Sequence, residues 1–299
     1  MSAYLGEIAA LMTSLAFSLT STMFTLAGRR VGSTTVNRIR LILAVLLLSL
    51  IHWIWLGSLL PLKADPQRWL WLGLSGIVGL VLGDAFLFQA FVWIGPRLSM
   101  LMMSLAPVIA SLVAWIFLGE TLTLGQIGGI ALTLSGIAWV VLERGSNRQS
   151  PNRDYLRGIL FGLGGATGQA LGLVLAKNGL SGGFSPISAN LIRMLTAATT
   201  LWAITIFQRQ ARSAFVHLNA NHRAIWFLMA GTVTGPLIGV SLSLFAVQQS
   251  AVGVASTLMA LPPVFLLPIS YIVFKERFGW GAVAGTFVAM AGVALLFLV

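Results

Sequence analysis

The sequence predicts an all-α polytopic membrane protein whose ten transmembrane helices form two inverted five-helix repeats. Three observations carry that expectation. Charged residues make up only 8% of the 299-residue chain, against 58% hydrophobic ones and a mean hydropathy of +0.94, where a soluble domain holds about 25% charged residues. Apolar runs of roughly 20 residues recur along the chain, the length of an α-helix crossing a ~30 Å hydrocarbon core, and short alternating segments of the barrel type are lacking. The third observation is that one stretch occurs twice.

From Leu101 the chain reads LMMSLAPVIASLVAWIFLGETLTLGQIGGIALTLSGIA, and from Thr257 it reads TLMALPPVFLLPISYIVFKERFGWGAVAGTFVAMAGVA. At a shift of 156 positions without a gap, ten of the 41 residues from Leu98 to Ala138 recur: Met103, Leu105, Pro107, Val108, Ile116, Glu120, Gly125, Gly129, Gly136 and Ala138. Shared composition would match Ala, Leu and Val by chance. It would not set a Pro, a Glu and three Gly in one register, so the chain is an internal duplication. Asn37, Ile39 and Arg40 recur as Asn190, Ile192 and Arg193, and Gly79 and Gly83 recur as Gly235 and Gly239.

Taken in order, the expected spans are Leu5 to Ala27, Thr34 to Leu56, Trp69 to Trp93, Leu98 to Leu118, Leu124 to Leu142, Leu156 to Lys177, Pro186 to Phe207, Ala224 to Gln248, Val252 to Phe274 and Trp280 to Val299. The first is too long for the apolar part of a signal peptide and lacks a basic flank, so it is expected to be retained. Polar residues 143–155 join spans five and six, which makes residues 1–142 the first repeat, 143–155 a cytoplasmic linker and 156–299 the second repeat. Five spans per copy is odd, so the second copy enters the membrane from the opposite side. Inverted repeats are the architecture of secondary transporters, which hold a solute near the midplane and alternate access.

Twelve Lys and Arg fall on links after the odd-numbered spans, against Lys63, Arg68 and Lys177 on the other side. The positive-inside rule then puts both termini outside the cytoplasm. The formal net charge of +11 is scattered singly between apolar runs, a pattern of topology and lipid head groups rather than of nucleic-acid binding. Cysteine is absent, which excludes disulfides and thiolate sites. No metal and no cofactor are expected.

The half that ends in LAPVIASLVAWIFLGETLTLGQIGGIALTLSGI resembles the EamA unit of the drug/metabolite transporter superfamily, and two such units resemble its ten-helix exporters. Within these the chain is most similar to the bacterial YddG-type exporters of aromatic amino acids. The resemblance covers nearly the whole chain. It implies export of amino acids or similar small metabolites across a bacterial cytoplasmic membrane; drugs, nucleosides and other metabolites are handled by the same superfamily.

The residues themselves suggest where the path runs. Pro107 and Pro263 each remove an amide inside a helix and free a carbonyl one turn back, which in lipid demands a partner. A matched pair in the two halves points to the central path as a kink or gate. Met103 and Met259, one turn earlier, offer a soft apolar wall. On span one Ser14, Ser18, Ser21 and Thr25 share a face, with helix packing as the plain alternative. On span six Gln169 lies among Gly162, Gly165 and Gly172, where a buried amide has to find hydrogen bonds, and it is the foremost candidate for reading a polar part of the substrate. Ser18, Ser21, Phe86, Gln89, Ser99, Ser243 and Phe245 complete the expected binding set with Met103, Gln169 and Met259. Asp84, Arg40 and Arg193 are the deepest charges, and pairing is expected because a lone charge at the bilayer centre costs about 2.5–3.5 kcal/mol. Counting along the spans sets all three in the cytoplasmic half, as a charge latch; proton coupling at Asp84 is the alternative. Glu120 and Glu276 open short turns as caps, and Trp53, Trp55, Trp69 and Trp71 read as an aromatic belt.

An intramembrane serine hydrolase is the competitor from another class, because Gly179 to Gly183 reads GLSGG. The elbow needs a strand-to-helix turn and a base. His52, His217 and His222 are the only histidines, and none is placed to serve. A channel lacks a filter-like sequence. The chain is therefore expected not to be an enzyme, to act on a small-molecule solute in the lipid bilayer and to work as a monomer.

Overall fold

The computed structural model describes residues 4–118, 121–146, 153–211, 216, 221–249 and 252–298, and in these it is entirely helical apart from turns. Glu120, His217, Arg212 and residues 147–152 of the expected linker lie outside them. Helix α1 (Leu5–Val31) passes through Gly32 alone into α2 (Ser33–Leu56). Gly32 has φ 84°, a left-handed value that a side chain would strain, so glycine makes this reversal in one residue. Gly57 ends α2 in the same region, at φ 69°.

Helix α3 (Pro66–Gly76) starts on Asp65, whose carboxylate accepts from the Gln67 amide, with Pro66 in the first turn where its missing N–H costs nothing. The chain continues through a π-helical segment, Ile77–Gly83, into α4 (Asp84–Met103). Gly95 leaves helical geometry at φ 83°, ψ 165°, so α4 is two helices meeting at a corner. The expected gap between spans three and four is that single residue. Helices α5 (Leu105–Leu118) and α6 (Leu124–Ser146) close the first half.

The second half repeats the plan. Helices α7 (Arg153–Leu180) and α8 (Pro186–Phe207) are followed by α9 (His222–Thr232), a second π segment at Val233–Gly239, α10 (Val240–Gln249), α11 (Val252–Met259), α12 (Pro262–Phe274) and α13 (Trp280–Leu298). The two π segments stand 156 positions apart, as do the interruptions at Ser104 and Ala260. These are the irregular features of the fold, and they were copied with it.

Among the described residues eight helices are long and apolar enough to cross a membrane, against ten expected spans. The difference has local causes. Pro66–Met103 is one helical stretch around the Gly95 corner and Leu105–Leu118 is short because the chain breaks at Ser104, while the helical stretch from His222 to Gln249, which covers the eighth expected span, is not among the eight. Large apolar side chains such as Trp53, Leu62 and Trp226 stand 55–76% exposed, which suits lipid and not water.

Helices pair in a reciprocal pattern. Helix α6 lies against α13, with Gly129 meeting Gly292 and Leu296 while Gly136 meets Gly285 and Ala289. Helix α2 lies against α8, with Trp202 donating to the Arg38 carbonyl at one end and His52 against Ser188 at the other. Both pairs run in opposite chain senses. Helix α1 packs on the π segment and helices of the second half, and α7 packs on those of the first. Their closest crossing is backbone on backbone: a Cβ on Gly168 would come within 2.5 Å of the Gly83 Cα.

Candidate functional site

The two interruptions are made by proline. An amide at Pro107 would reach the Met103 carbonyl, and amides at Pro262 and Pro263 would reach those of Leu258 and Met259. Helix α4 stops at Met103 and α11 at Met259. The last amides turn tighter, Ser104 N bonding Leu101 O at 3.2 Å and Ala260 N bonding Thr257 O at 3.2 Å. In the second half the serine face of α1 supplies partners. Ser14 Oγ donates to the Leu258 carbonyl at 2.5 Å, and Ser18 Oγ lies 3.3 Å from the Pro262 carbonyl.

Between the breaks lie two adjoining cavities of about 350 and 320 Å³, which share Phe17, Met100, Met103, Gln169 and Arg193. The first is walled by the broken segments, from Met103 to Pro107 and from Met259 to Pro263. The second reaches along α1 past Thr20, Ser21 and Phe24 to Asp84 and Arg40. Most of the lining is apolar and much of it is Met and Phe, side chains that fit flat or irregular apolar bodies.

One wall carries charge. Arg40 Nη2 donates to Asp84 Oδ2 in a buried ion pair, and Arg40 Nε donates to Asn37 Oδ1 at 3.1 Å. The same guanidinium stands 4.9 Å from the centre of the Phe88 ring. From the other half Gln169 Nε2 donates to Asp84 Oδ1 at 2.8 Å. Asp84 is thus held by two donors, and its charge is matched. Arg193 lines both cavities; its guanidinium feels the Asp84 carboxylate at longer range than a salt bridge, and its Nε is buried without a hydrogen-bond partner. Asn190, one turn earlier on α8, also leaves its Nδ2 buried and unpartnered and lines the second cavity.

The expected binding set divides. Met103, Met259, Gln169, Ser21, Pro107 and Pro263 meet at the cavities. Ser18 is fully buried on backbone carbonyls, and Ser99 donates to the Gly95 carbonyl at 2.8 Å, securing the corner. Gln89 accepts from Ser33 Oγ, and Ser243 donates to the Val240 carbonyl, so neither is among the lining residues. Phe86 packs edge-on against Phe161 with centroids 5.2 Å apart, and like Phe245 it is 40% exposed at the periphery. The aromatic residues that line the cavities are Phe17, Phe24, Phe88, Phe91 and Phe297. Of the expected latch, Arg40 and Asp84 pair directly, and Arg193 acts on Asp84 at longer range from the other half, its carbonyl against Gly76 and its guanidinium beside Gly79.

Charges that join the halves elsewhere sit where α1 ends. Arg97 Nε faces Glu276 Oε2 at 3.9 Å, Arg97 lies 4.8 Å over the Phe278 ring, and Arg29 lies 4.7 Å over Phe274. Glu276, read from the sequence as a cap, therefore faces a cation of the other half. At the far end Gly182 and Gly183 take positive φ, which makes the GLSGG segment a turn and not a nucleophile elbow; His52 meets the Ser58 carbonyl and Ser188.

Comparison with known proteins agrees with this architecture. No curated protein matches the chain. Twenty-seven chains of solved structures match it. One crystal structure aligns with 97% of this chain and 96% of its own at a TM-score of 0.60, a likeness of fold alone at 17% identity. The model of the EamA-like transporter family matches residues 4–142 and again 156–298. The duplicated chain, with its paired breaks around one cavity, belongs to the EamA-like transporter family.

Proposed function

We propose that this membrane transporter exports small metabolites, foremost aromatic and other hydrophobic amino acids, by alternating access to the cavity between its two halves. The observation that carries the reading is the pair of proline-broken segments, one from each half, facing each other across that cavity. Broken helices mark solute sites in transporters because their freed backbone groups are tolerated only where they are buried in protein or line a cavity. The predominance of Phe and Met in the walls favours solutes with an apolar body.

The halves are read as inverted repeats. Supporting this, the equivalent helices α2 and α8, and α6 and α13, lie in opposite chain senses. With the basic links in the cytoplasm of a bacterial cell, the Arg97–Glu276 contact seals the cytoplasmic end and both termini lie outside. Rocking one half against the other would part that contact and open the cavity inward.

The experiment is uptake into liposomes holding the purified chain, with labelled phenylalanine, leucine, a nucleoside and a cationic dye, each competed by the others. Saturable flux of phenylalanine or leucine, with unmodified product, is expected. Flux of the nucleoside or dye alone would move the substrate class within the same family. Flux linear to high concentration would indicate a channel.

A further inference from the structure

The charged side chains that line the cavities are Arg40, Asp84 and Arg193. Asp84 is already bound by Arg40 and by Gln169. The remaining charge is the Arg193 guanidinium, which closes no salt bridge of its own and feels only the Asp84 carboxylate that Arg40 already holds. Two cations sharing one carboxylate at membrane depth are costly, and two buried donors without acceptors, on Arg193 and Asn190, add to the cost. A ligand that brings an anion to this wall relieves both.

We infer that Arg193, assisted by Asn190, binds the carboxylate of the transported solute, and that the site selects amphiphilic monocarboxylates by this group and not by an α-amino group. The inference rests on the transport reading above and deepens it. Arg193 and Asn190 are one helical turn apart on α8 and both line the second cavity, so a guanidinium and an amide stand as neighbouring donors for one carboxylate. The apolar body of the solute then lies toward Phe17, Met100, Met103 and Met259. No acidic side chain of the lining is spare for an ammonium, because Asp84 is spoken for. One guanidinium and one amide match a single negative charge; a phosphate dianion would leave charge unbalanced.

The test uses the full chain in liposomes at pH 7, with counterflow of labelled phenylalanine competed by phenylalanine, 3-phenylpropionate, phenylalaninamide and phenethylamine. Both carboxylates are expected to compete about tenfold or more better than the amide and the amine, the size of one charge-assisted hydrogen bond. Arg193→Gln is expected to shrink that preference to within about threefold, while Arg193→Lys keeps it and Asn190→Ala weakens it partly. Should Arg193→Gln fail to fold, the wild-type panel and the other two variants decide. Equal competition by phenylalaninamide in the wild type, or an undiminished preference in Arg193→Gln, overturns the carboxylate assignment and leaves the transport reading standing. Failure to compete by 3-phenylpropionate alone shows that the amino group is read, and overturns the claim of selection by carboxylate. Absence of saturable phenylalanine flux overturns the aromatic-solute reading, and this inference with it.

Discussion

Gln169 of the second half donates its amide to Asp84 of the first at 2.8 Å, on the carboxylate oxygen that Arg40 leaves free. The contact crosses the seam along which the halves would move. It also divides the labour between the two acceptor atoms of one buried carboxylate. Removing one partner of such a pair strands the other, at a cost of about 3–5 kcal/mol, whereas replacing both with apolar groups is far milder.

Asp84→Asn is therefore expected to lower the thermal midpoint markedly, and the double variant Arg40→Met/Asp84→Leu to recover most of the loss. Thermal unfolding of the wild type, Asp84→Asn and the double variant in one detergent compares the three. Flux driven by a substrate gradient, per folded molecule, is expected to stay within about threefold in Asp84→Asn; selective loss under an imposed pH gradient would instead assign Asp84 to proton coupling.

The prolines are expected to trade stability for motion. Pro107→Ala restores an amide to the Met103 carbonyl, and the double change Pro262→Ala/Pro263→Ala restores those to Leu258 and Met259, so that each break can heal. Each variant should be as stable as the wild type or more so, and should transport several-fold more slowly. Unchanged flux with a raised midpoint would make the breaks incidental.

Ser14→Ala removes the hydroxyl that caps the Leu258 carbonyl. That carbonyl keeps the Leu261 amide at 3.3 Å, so the loss is one hydrogen bond, about 0.5–1.5 kcal/mol, to be read as a lowered unfolding midpoint. Ser135→Ala, on an exposed hydroxyl that returns to its own helix, is the control and should be silent.

Glycine at the helix crossing is a matter of space. A Cβ on Gly168 would lie 2.5 Å from the Gly83 Cα, and backbone cannot step aside; one on Gly128 would lie 3.7 Å from a Leu295 methyl, ordinary contact. Gly168→Ala is expected to cut the yield of monodisperse protein severely. Gly128→Ala should be neutral or gain about 0.5–1 kcal/mol from helix propensity.

The chain holds no cysteine, so Met103→Cys reports cavity access without background. A membrane-impermeant maleimide is expected to label it from the side of the chain termini in the otherwise unaltered protein. Adding Glu276→Gln, which weakens the contact with Arg97, should raise labelling from the other side. Labelling indifferent to Glu276 would remove this contact from the gate.

Much of the site was legible in the sequence, because the duplication pointed to it. Pro107 with Pro263 and Met103 with Met259 line the cavity as their shared register implied. Gln169 finds its hydrogen bond, though to Asp84, a protein partner. The aromatic lining was missed by half a turn. Counting from Asp84 in steps of three and four gives Leu87, Phe88 and Phe91, the residues found in the wall, whereas Phe86 falls outside that face. On α1 the hydroxyl stripe of Ser14 and Ser18 is consumed by backbone carbonyls, and the adjacent stripe of Phe17, Thr20 and Phe24 lines the cavity. Periodicity finds a face; which neighbour that face meets is decided by helices far away in sequence. Arg193, equivalent to Arg40 in the sequence, reaches the same cavity from the other half, since the two helices run head to tail.

The wide turns at Ile77–Gly83 and Val233–Gly239 each hold more residues per turn than the helix on either side. They act as a phase setting for everything downstream. Deleting one residue from the first would let the segment close to ordinary winding with Asp84 still facing Arg40, whereas adding one beyond it, in an ordinary turn, would swing Asp84 roughly a hundred degrees about its axis. The wide turn is thus slack that absorbs a lost codon, while a codon gained beyond it would turn the charged wall of the chamber outward together with all of α4.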